Sequence, residues 1–454
     1  MRSRSGDWRF FKQDFFTPRP LASVVYSSES LVHRSLNTQV KILYIAHRFP
    51  YPPNKGEKIR TFHQIQQLSK NHTIHLCAFV DDPDDMPHVS ALRKFCASVE
   101  VVYRVGSAVG YLRAAIGFLS GLPLSISLFQ RRALAEKVLR NVTAERFDCI
   151  IGSSSSMAQY LSLCSNVPKI LDFIDVDSEK WRSYAQCRSF PLSFIYRVEA
   201  ERLARYESEM AQLFDHCLLV SEEESCILRR RVDGHPVSVI SNGVDIEYFF
   251  PSGDVRETSQ PAIVFTGVMD YFPNVDAVRY FCRDIFPLVL RTMPKAQFNI
   301  IGRNPARQVR ELGNDANVVV TGTVADVRPY LARASVSVAP FRLARGVQNK
   351  ILESMAMGVP VVGTTQAFKG IAATEQNGVR IADDPHSFAE HVVTLLQGDV
   401  SLRHEAGLQA RRFVERHHRW EDQGASLERL IEDVVRKHRQ KEDDVHRRDA
   451  EYAE

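Results

Sequence analysis

The sequence predicts an α/β protein made of two doubly wound domains. Three observations carry that prediction. Short runs rich in Val, Ile, Leu and Phe alternate with helical stretches from Lys41 onward. The runs are continuously apolar rather than alternating, which suits parallel strands buried on both faces. They also fall into two series, separated by PSGDVRETSQP at 251–261, a polar stretch with Pro, Gly and no period.

The first series is KILYIAH at 41–47, TIHLCAFV at 73–80, EVVYRV at 100–105, DCIIG at 148–152, KILDFIDV at 169–176, CLLVS at 217–221 and VSVIS at 237–241. The second is AIVFTG at 262–267, QFNIIG at 297–302, NVVVTG at 317–322, VSVAPF at 336–341, PVVGT at 360–364 and GVRIAD at 378–383. Helices between such strands imply right-handed βαβ units. The expected organisation is an N-terminal domain over 39–250, a C-terminal domain over 251–415, a helix over 416–437 returning to the first domain, and a frayed charged tail over 438–454. Residues 1–38 read as a disordered leader, basic and aromatic (Trp8, Phe10, Phe11, Phe15, Phe16), with a membrane-surface anchor as the other reading. The segment at 109–129 is apolar but broken by Arg113, Gly117, Gly121 and Pro123, so it does not span a bilayer. It reads either as core helix plus loop or as a greasy flap that meets a membrane or a lipid-linked substrate.

Composition sets outer limits. The 454 residues are 44% hydrophobic and 25% charged, which is enough for two large cores and unlike a fibrous or disordered chain. Lys+Arg 58 against Asp+Glu 54 leaves +4, too small an excess to indicate nucleic acid as a partner. The eight cysteines include no CxxC pair and no zinc spacing, so they read as free thiols in a reducing compartment. The N-terminus lacks the charged-then-apolar pattern of a signal peptide. No G-x-G-x-x-G follows a strand, and no P-loop or G-x-S-x-G occurs, which weakens dehydrogenase, kinase and serine hydrolase readings.

In open α/β sheets, ligands bind at the carboxyl ends of the strands. The richest such loop is PFRLARGVQNKILESMAMGVPVV at 340–362. Arg342 and Arg345 precede a helix start near Gly346, where free N–H groups and the helix dipole suit phosphate. Lys350 and Glu353 share one face of that helix. A cation for phosphate oxygens and a carboxylate for ribose hydroxyls make a nucleotide site. His47 and Arg48 end the first strand and face the crevice. The acidic run Glu222, Glu223, Glu224 reads as a helix start, where negative charge suits the dipole.

The pattern GxxxKxLExMAxGxPVV in that loop resembles the donor-site segment of glycosyltransferase family 4, retaining enzymes of GT-B fold. VISNGVDIEYFFP at 239–251 resembles the family's domain-junction signature, and TGTVADVRPYLARASVSVAP at 321–340 its stretch around the nucleotide base. The resemblance covers about residues 40–437. KILYIAHRFPYPPNKGEKIR, LDFIDVDSEKW and FTGVMDYFPNVDAV together resemble one branch, the sugar transferases associated with PEP-CTERM/exosortase systems. The fold implied is two Rossmann-like domains facing across a cleft, acceptor side in the first and nucleotide sugar in the second. Glu353 matches the second glutamate of the family's two-glutamate pattern, which implies a ribose contact. Gly346 matches the glycine before the donor helix, and Gly56, flanked by Lys55 and Lys58, the N-domain glycine-rich loop.

Two departures stand out. The first glutamate of the pair is Arg345 here, and the usual cations after the first C-domain strand are replaced by TGVMDYFPN. Arg303, Arg342 and Arg345 are the candidates to neutralise the leaving diphosphate. After KILDFIDV, acidic residues stand where many members carry a His. Asp175 is placed near the reacting sugar or acceptor hydroxyl; the Asp175–Asp177 spacing also spells DxD, but the nucleotide site lies in the other half, so no metal or cofactor is expected. The resemblance implies retaining transfer of a sugar from a nucleotide-diphosphate donor to a glycan acceptor, lipid-linked, in exopolysaccharide synthesis; the positions of Asp175, His47 and Arg345 in this sequence make them the candidate catalytic residues. The expected location is cytoplasmic, peripheral to the inner face of the plasma membrane. An epimerase on the same fold and a non-catalytic scaffold are the alternatives.

Overall fold

The computed structural model of the chain describes residues 39–104, 108–251 and 261–451. The expectations for the leader at 1–38 and for most of the 251–261 stretch lie outside the described residues. The first sheet holds β1 (Lys41–Ala46), β2 (Thr73–Val80), β3 (Ser98–Tyr103), β4 (Cys149–Ser153), β5 (Lys169–Ile174), β6 (His216–Leu219) and β7 (Val237–Val239). The second holds β8 (Ala262–Thr266), β9 (Gln297–Ile301), β10 (Val318–Gly322), β11 (Val336–Ala339), β12 (Val361–Gly363) and β13 (Val379–Ile381). Their orders are β3-β2-β1-β4-β5-β6-β7 and β10-β9-β8-β11-β12-β13. Every strand pairing is parallel, with Ile42 opposite Ile74 and Cys149 in the first sheet, and Ile263 opposite Phe298 and Val336 in the second. The inner strands are almost fully buried because helices cover both faces, while the edge strands β3 and β10 are mostly half-exposed. Each sheet reverses its winding once, between β1 and β4 and between β8 and β11. Ligand crevices form at such switch points.

The helices that shape the crevice are α1 (Gly56–Leu68), α2 (Ala108–Leu119), α3 (Asp177–Gln186), α4 (Leu192–Gln212), α5 (Glu222–Arg229), α6 (Phe272–Tyr280), α7 (Asn349–Ala356), α8 (Val400–His417) and α9 (Trp420–Glu451). The chain passes from first sheet to second near Val244, whose N–H reaches His418 O at 2.7 Å. It passes back at the same place, where Val244 bridges Arg419 before α9 begins. Leu427, Ile431, Val434 and Val435 of α9 then pack into the first domain's core with Phe62, Ile65 and Leu68 of α1. Each such side chain contributes roughly 1.5–3 kcal/mol by burial.

The charged tail departs from expectation, because α9 continues as helix to Glu451. Its Glu, Lys and Arg residues are good helix formers, His438 faces Glu442 one turn on at 3.5 Å, and Arg439 ties the helix to Asp148 at 2.6 Å.

Candidate active site

The floor on the N-domain side is a buried ion pair. Arg60 of α1, wholly buried, grips Asp172 of β5 through Nε (2.8 Å) and Nη2 (3.2 Å). Its Nη1 also reaches Ile240 O at 2.8 Å and Asn242 Oδ1 at 3.0 Å. Asn242 in turn donates to Asn349 of α7 at 2.9 Å, so one network joins both domains. Asp172 fixes the loop that follows: its Oδ1 accepts the Ile174 N–H at 3.1 Å. Ile174 has φ 69 and Ser154, after β4, has φ 82. A β-branched residue in the left-handed region is strained, and both residues sit at strand ends beside the cleft.

That loop presents Asp175. Burial, then the charges of Glu224 and Asp177, push its carboxyl up to about 7. Its Oδ1 is buried with no hydrogen-bond partner. Asp177, the other half of the DxD spacing, is engaged by Lys180 at 2.5 Å and by the Ser155 hydroxyl at 3.1 Å. His47 lies edge-on to Phe129, and burial pushes it down to about 4, so the ring is neutral near pH 7 with Nδ1 unpartnered. Arg48 is held by Glu57 and Asp81 at 3.1 and 3.3 Å. Gly56 opens α1, and a Cβ there would meet nothing within 4 Å. No side chain caps that helix start; the Glu57 carboxylate takes its own N–H in the first turn, and the neighbouring N–H groups are left for a ligand. Of the flanking lysines, Lys58 is buried against Asp85 at 2.6 Å. Lys55 is held down by burial and by the charges of Arg48, Arg303 and Lys58. Arg48 and Lys58 are already paired with carboxylates, so Lys55 and Arg303 are the cations left for an anion here.

The C-domain wall rests on close backbone contacts. A Cβ on Gly302 would lie 1.6 Å from Gly267 O, so the turns after β8 and β9 touch only because residue 302 is glycine. Arg303 follows, with Nη2 buried and unpartnered. Lys350 sits beneath the same corner. Its Nζ donates to Asn274 at 2.6 Å and lies over the rings of Phe341 (4.8 Å) and Phe265 (5.0 Å). Burial pushes Lys350 down to about 7 and Glu353, one turn on, up to about 7, while their mutual attraction opposes both shifts. Glu353 lines a cavity of 320 Å³ between the domains, with Pro53, His63, Gly243, Asn349 and Trp420.

Two of the expected donor-binding arginines are already occupied. Arg342 is turned to the surface, where Asp276 of α6 takes its guanidinium (Nε to Oδ2 3.0 Å) and Tyr280 lies beneath it at 4.9 Å. It therefore brings no free charge to the cleft. Arg345 reaches the opposite domain and pairs with Glu179 and Glu224, both at 3.3 Å. Its charge is matched by carboxylates, with only Nε left unpartnered. Gly346 beside it has φ 58, and a Cβ there would lie 2.0 Å from Asp175 Oδ1. Glycine is required twice over, by conformation and by contact.

Five buried polar atoms without a partner therefore face the gap between the switch points: His47 Nδ1, Asp175 Oδ1, Arg303 Nη2, Arg345 Nε and Asn349 Nδ2. Buried polar groups are normally satisfied, and these five, of thirteen such atoms among the described residues, belong to the loops and helix start that line the cleft. Glu179, Glu224 and Asn349 gain roles the sequence reading did not give them. Only the acidic run that opens α5 signalled one of them, and it read as helix-start chemistry. Among the described residues, His72, Glu428 and Glu432 have metal-ligand proximity. His72 Nδ1 accepts the Val40 N–H at 3.1 Å, however, so its proton is on Nε2 and points to Glu428 at 3.2 Å. Nε2 completes no hydrogen bond with that carboxylate, and with the Nδ1 lone pair already taken by backbone the trio stands as a proximity of side chains alone.

Comparison with known proteins agrees with the geometry. Residues 260–398, the body of the second domain, match the family described as glycosyl transferases group 1. Over 165 residues the chain is 28% identical to the UDP-Gal:alpha-D-GlcNAc-diphosphoundecaprenol alpha-1,3-galactosyltransferase of Escherichia coli, a match of 32% of this chain and 41% of that one. The fold is shared with sucrose-phosphate synthase from Thermosynechococcus elongatus, at TM-score 0.67 and 17% identity over 88% of this chain and 100% of that one. It is also shared with Anabaena HepE, solved with UDP and glucose, at TM-score 0.62 and 14% identity over 87% and 99%. The chain has the GT-B architecture and carries a glycosyl transferases group 1 domain; it is a transferase enzyme.

Proposed function

We propose that this glycosyltransferase moves a sugar from a nucleoside-diphosphate donor to a lipid-linked glycan during exopolysaccharide assembly, with retention at the anomeric carbon. The observation that carries the reading is the set of orphaned polar atoms between the two switch points, with Arg303 and Lys55 facing each other across it. The diphosphate lies between the Gly302–Arg303 corner, Lys350 and the uncapped start of α1. Glu353 accepts the ribose hydroxyls. Cations and N–H groups aimed at the departing phosphate lower the barrier by stabilising charge as it develops. Asp175 and Arg345 Nε offer an acceptor and a donor beside Gly346, which together satisfy one sugar hydroxyl. The acceptor hydroxyl enters past neutral His47 and attacks on the face the phosphate leaves, with a phosphate oxygen taking its proton. Closure about the junction at Asn242 excludes water.

The HepE complex with UDP makes uridine nucleotides the first donors to test. The Escherichia coli relative acts on a diphosphoundecaprenol-linked sugar, which supports a lipid-linked acceptor here, and the branch resemblance suggests a PEP-CTERM/exosortase setting. No described helix is long and apolar enough to cross a membrane. Yet Leu112, Ile116 and Leu119 of α2 and Phe190, Leu192 and Phe194 at the start of α4 are exposed, and Arg188 and Arg197 are exposed among them. This apolar and basic face suits the cytoplasmic leaflet of an anionic membrane, and flotation with anionic liposomes tests it.

The deciding experiment is a panel of nucleotide sugars against the purified chain. It is read by thermal shift and by nucleoside-diphosphate release, with and without membrane lipid extract. Stabilisation by one donor with extract-dependent release is expected. Stabilisation without release means an epimerase or a binding protein, and no response to any donor overturns the reading.

A further inference from the structure

Glu224 has no part in the chemistry above. It opens α5, where Ser221 Oγ accepts its N–H at 3.3 Å. Its carboxylate, in a residue only 1% exposed, does something else. It accepts the Val176 N–H of the Asp175 loop at 2.8 Å, the N–H of Gly346, and Arg345 Nη1 at 3.3 Å. Glu179 takes the other end of the Arg345 guanidinium at 3.3 Å and is itself held by Arg231 at 2.5 Å. Behind Gly346, a Cβ on Gly370 would lie 2.2 Å from Gly346 O. Gly346 is thus clamped between the Asp175 and Glu224 carboxyls on one side and C-domain backbone on the other. Next along α5, Glu223 makes a more exposed pair with Lys369 at 3.3 Å.

We propose that Glu224 is a positioning residue that ties the Asp175 loop of one domain to Arg345 and Gly346 of the other, and so sets the closed geometry of the site. The N-domain wall carries Asp175, Asp177, Glu179 and Glu224 together. A carboxylate at position 345 would face Glu179 and Glu224 with like charge, whereas the guanidinium lets the walls meet. The basic residue at 345 is therefore explained by its partners across the cleft. The consequence for turnover rests on the transferase reading; the tie itself does not.

The test is hydrogen exchange at residues 344–348 in the ligand-free full chain, where the Gly346 amide reports the bond directly. Glu224→Ala should speed exchange there on the order of tenfold or more, because the side-chain acceptor of the amide is lost. Glu224→Gln keeps an acceptor oxygen and should fall between, and Glu223→Gln should match the parent. With the donor found by the panel, Glu224→Ala should lower kcat with little change in KM, the signature of a site no longer assembled. Unchanged exchange in Glu224→Ala overturns the tie, and faster exchange with unchanged kcat overturns its positioning role. If Glu224→Ala does not fold, Arg345→Met removes the Arg345 half of the tie while leaving the acceptor of the Gly346 amide, and exchange across 344–348 unchanged from the parent overturns the tie. A parent that turns over no donor sinks the transferase reading while leaving the exchange result to judge the tie.

Discussion

The two walls of the cleft share a sheet order and differ in how they hold their ligand groups. The C-domain wall is made by backbone: Gly267, Gly302 and Gly346 let turns touch, and Arg303 and Lys350 sit on that frame. The N-domain wall is made by side chains: Arg60 and Asp172 anchor a strained loop from beneath, and four carboxyl-bearing residues crowd its rim. A cationic wall facing an acidic one explains why the domains meet through Arg345. It also divides the labour, with most of the diphosphate's partners on the C-domain side, joined by the start of α1, and Asp175 and His47 on the other side for sugar and acceptor hydroxyls.

The largest way to break this contrast is to remove the anchor of the side-chain wall. Arg60→Met leaves the Asp172 charge buried without its cation, and should cost about 3–5 kcal/mol in denaturant unfolding. A loss within the ordinary surface range would mean the wall does not hang on that pair. The backbone wall fails differently. Gly346→Ala puts a Cβ 2.0 Å from Asp175 Oδ1 at φ 58, and displacement by about an ångström should lower kcat/KM on the order of a hundredfold. The fold should persist, so circular dichroism unchanged beside lost turnover is the expected pair of results. Near-parent turnover would show that the loop and Asp175 part during catalysis.

A smaller effect separates the walls by pH. Asp175 is raised from 3.8 to about 7 in the folded chain. The folded state thus holds a proton that the unfolded state releases. Its contribution to stability is fully present below the unfolded value and is lost as pH rises through the folded one. Asp175→Asn should therefore match the parent at acid pH and become relatively more stable between pH 3.8 and about 7. Parallel curves for the two proteins across that window would show that Asp175 is ionised throughout.

Much of the frame was legible in the sequence because parallel strands buried on both faces leave continuous apolar runs. All thirteen runs are strands, trimmed mainly at their carboxyl ends, where the chain turns into the cleft. One part of the backbone wall had a local pattern, because glycine, lysine and glutamate sit within one contiguous segment, 346–353; the contact of Gly302 with Gly267 joins two separate turns and had none. The side-chain wall was not. Its pairs join residues far apart in the chain, such as Arg60 with Asp172 and Arg345 with Glu179, and no local pattern announces which of many charges will meet. For the same reason Glu224 read as helix-start chemistry, which it also performs.

Arg342 gives the smallest and most discriminating prediction. Sequence position puts it beside the donor helix, in the same loop as Arg345. The structure spends its charge on Asp276, at a guanidinium 48% exposed to solvent. An exposed pair of this kind contributes about 0–1 kcal/mol, so Arg342→Ala should leave both stability and kcat/KM close to the parent. Arg303→Ala, by contrast, removes a half-buried cation with one buried, unpartnered nitrogen, and should weaken nucleoside-diphosphate binding on the order of tenfold or more. If the two alanine variants bind alike, the donor loop has rearranged around its ligand. Arg342 would then leave Asp276 to join the cationic wall, and the division between the walls would belong only to the empty enzyme.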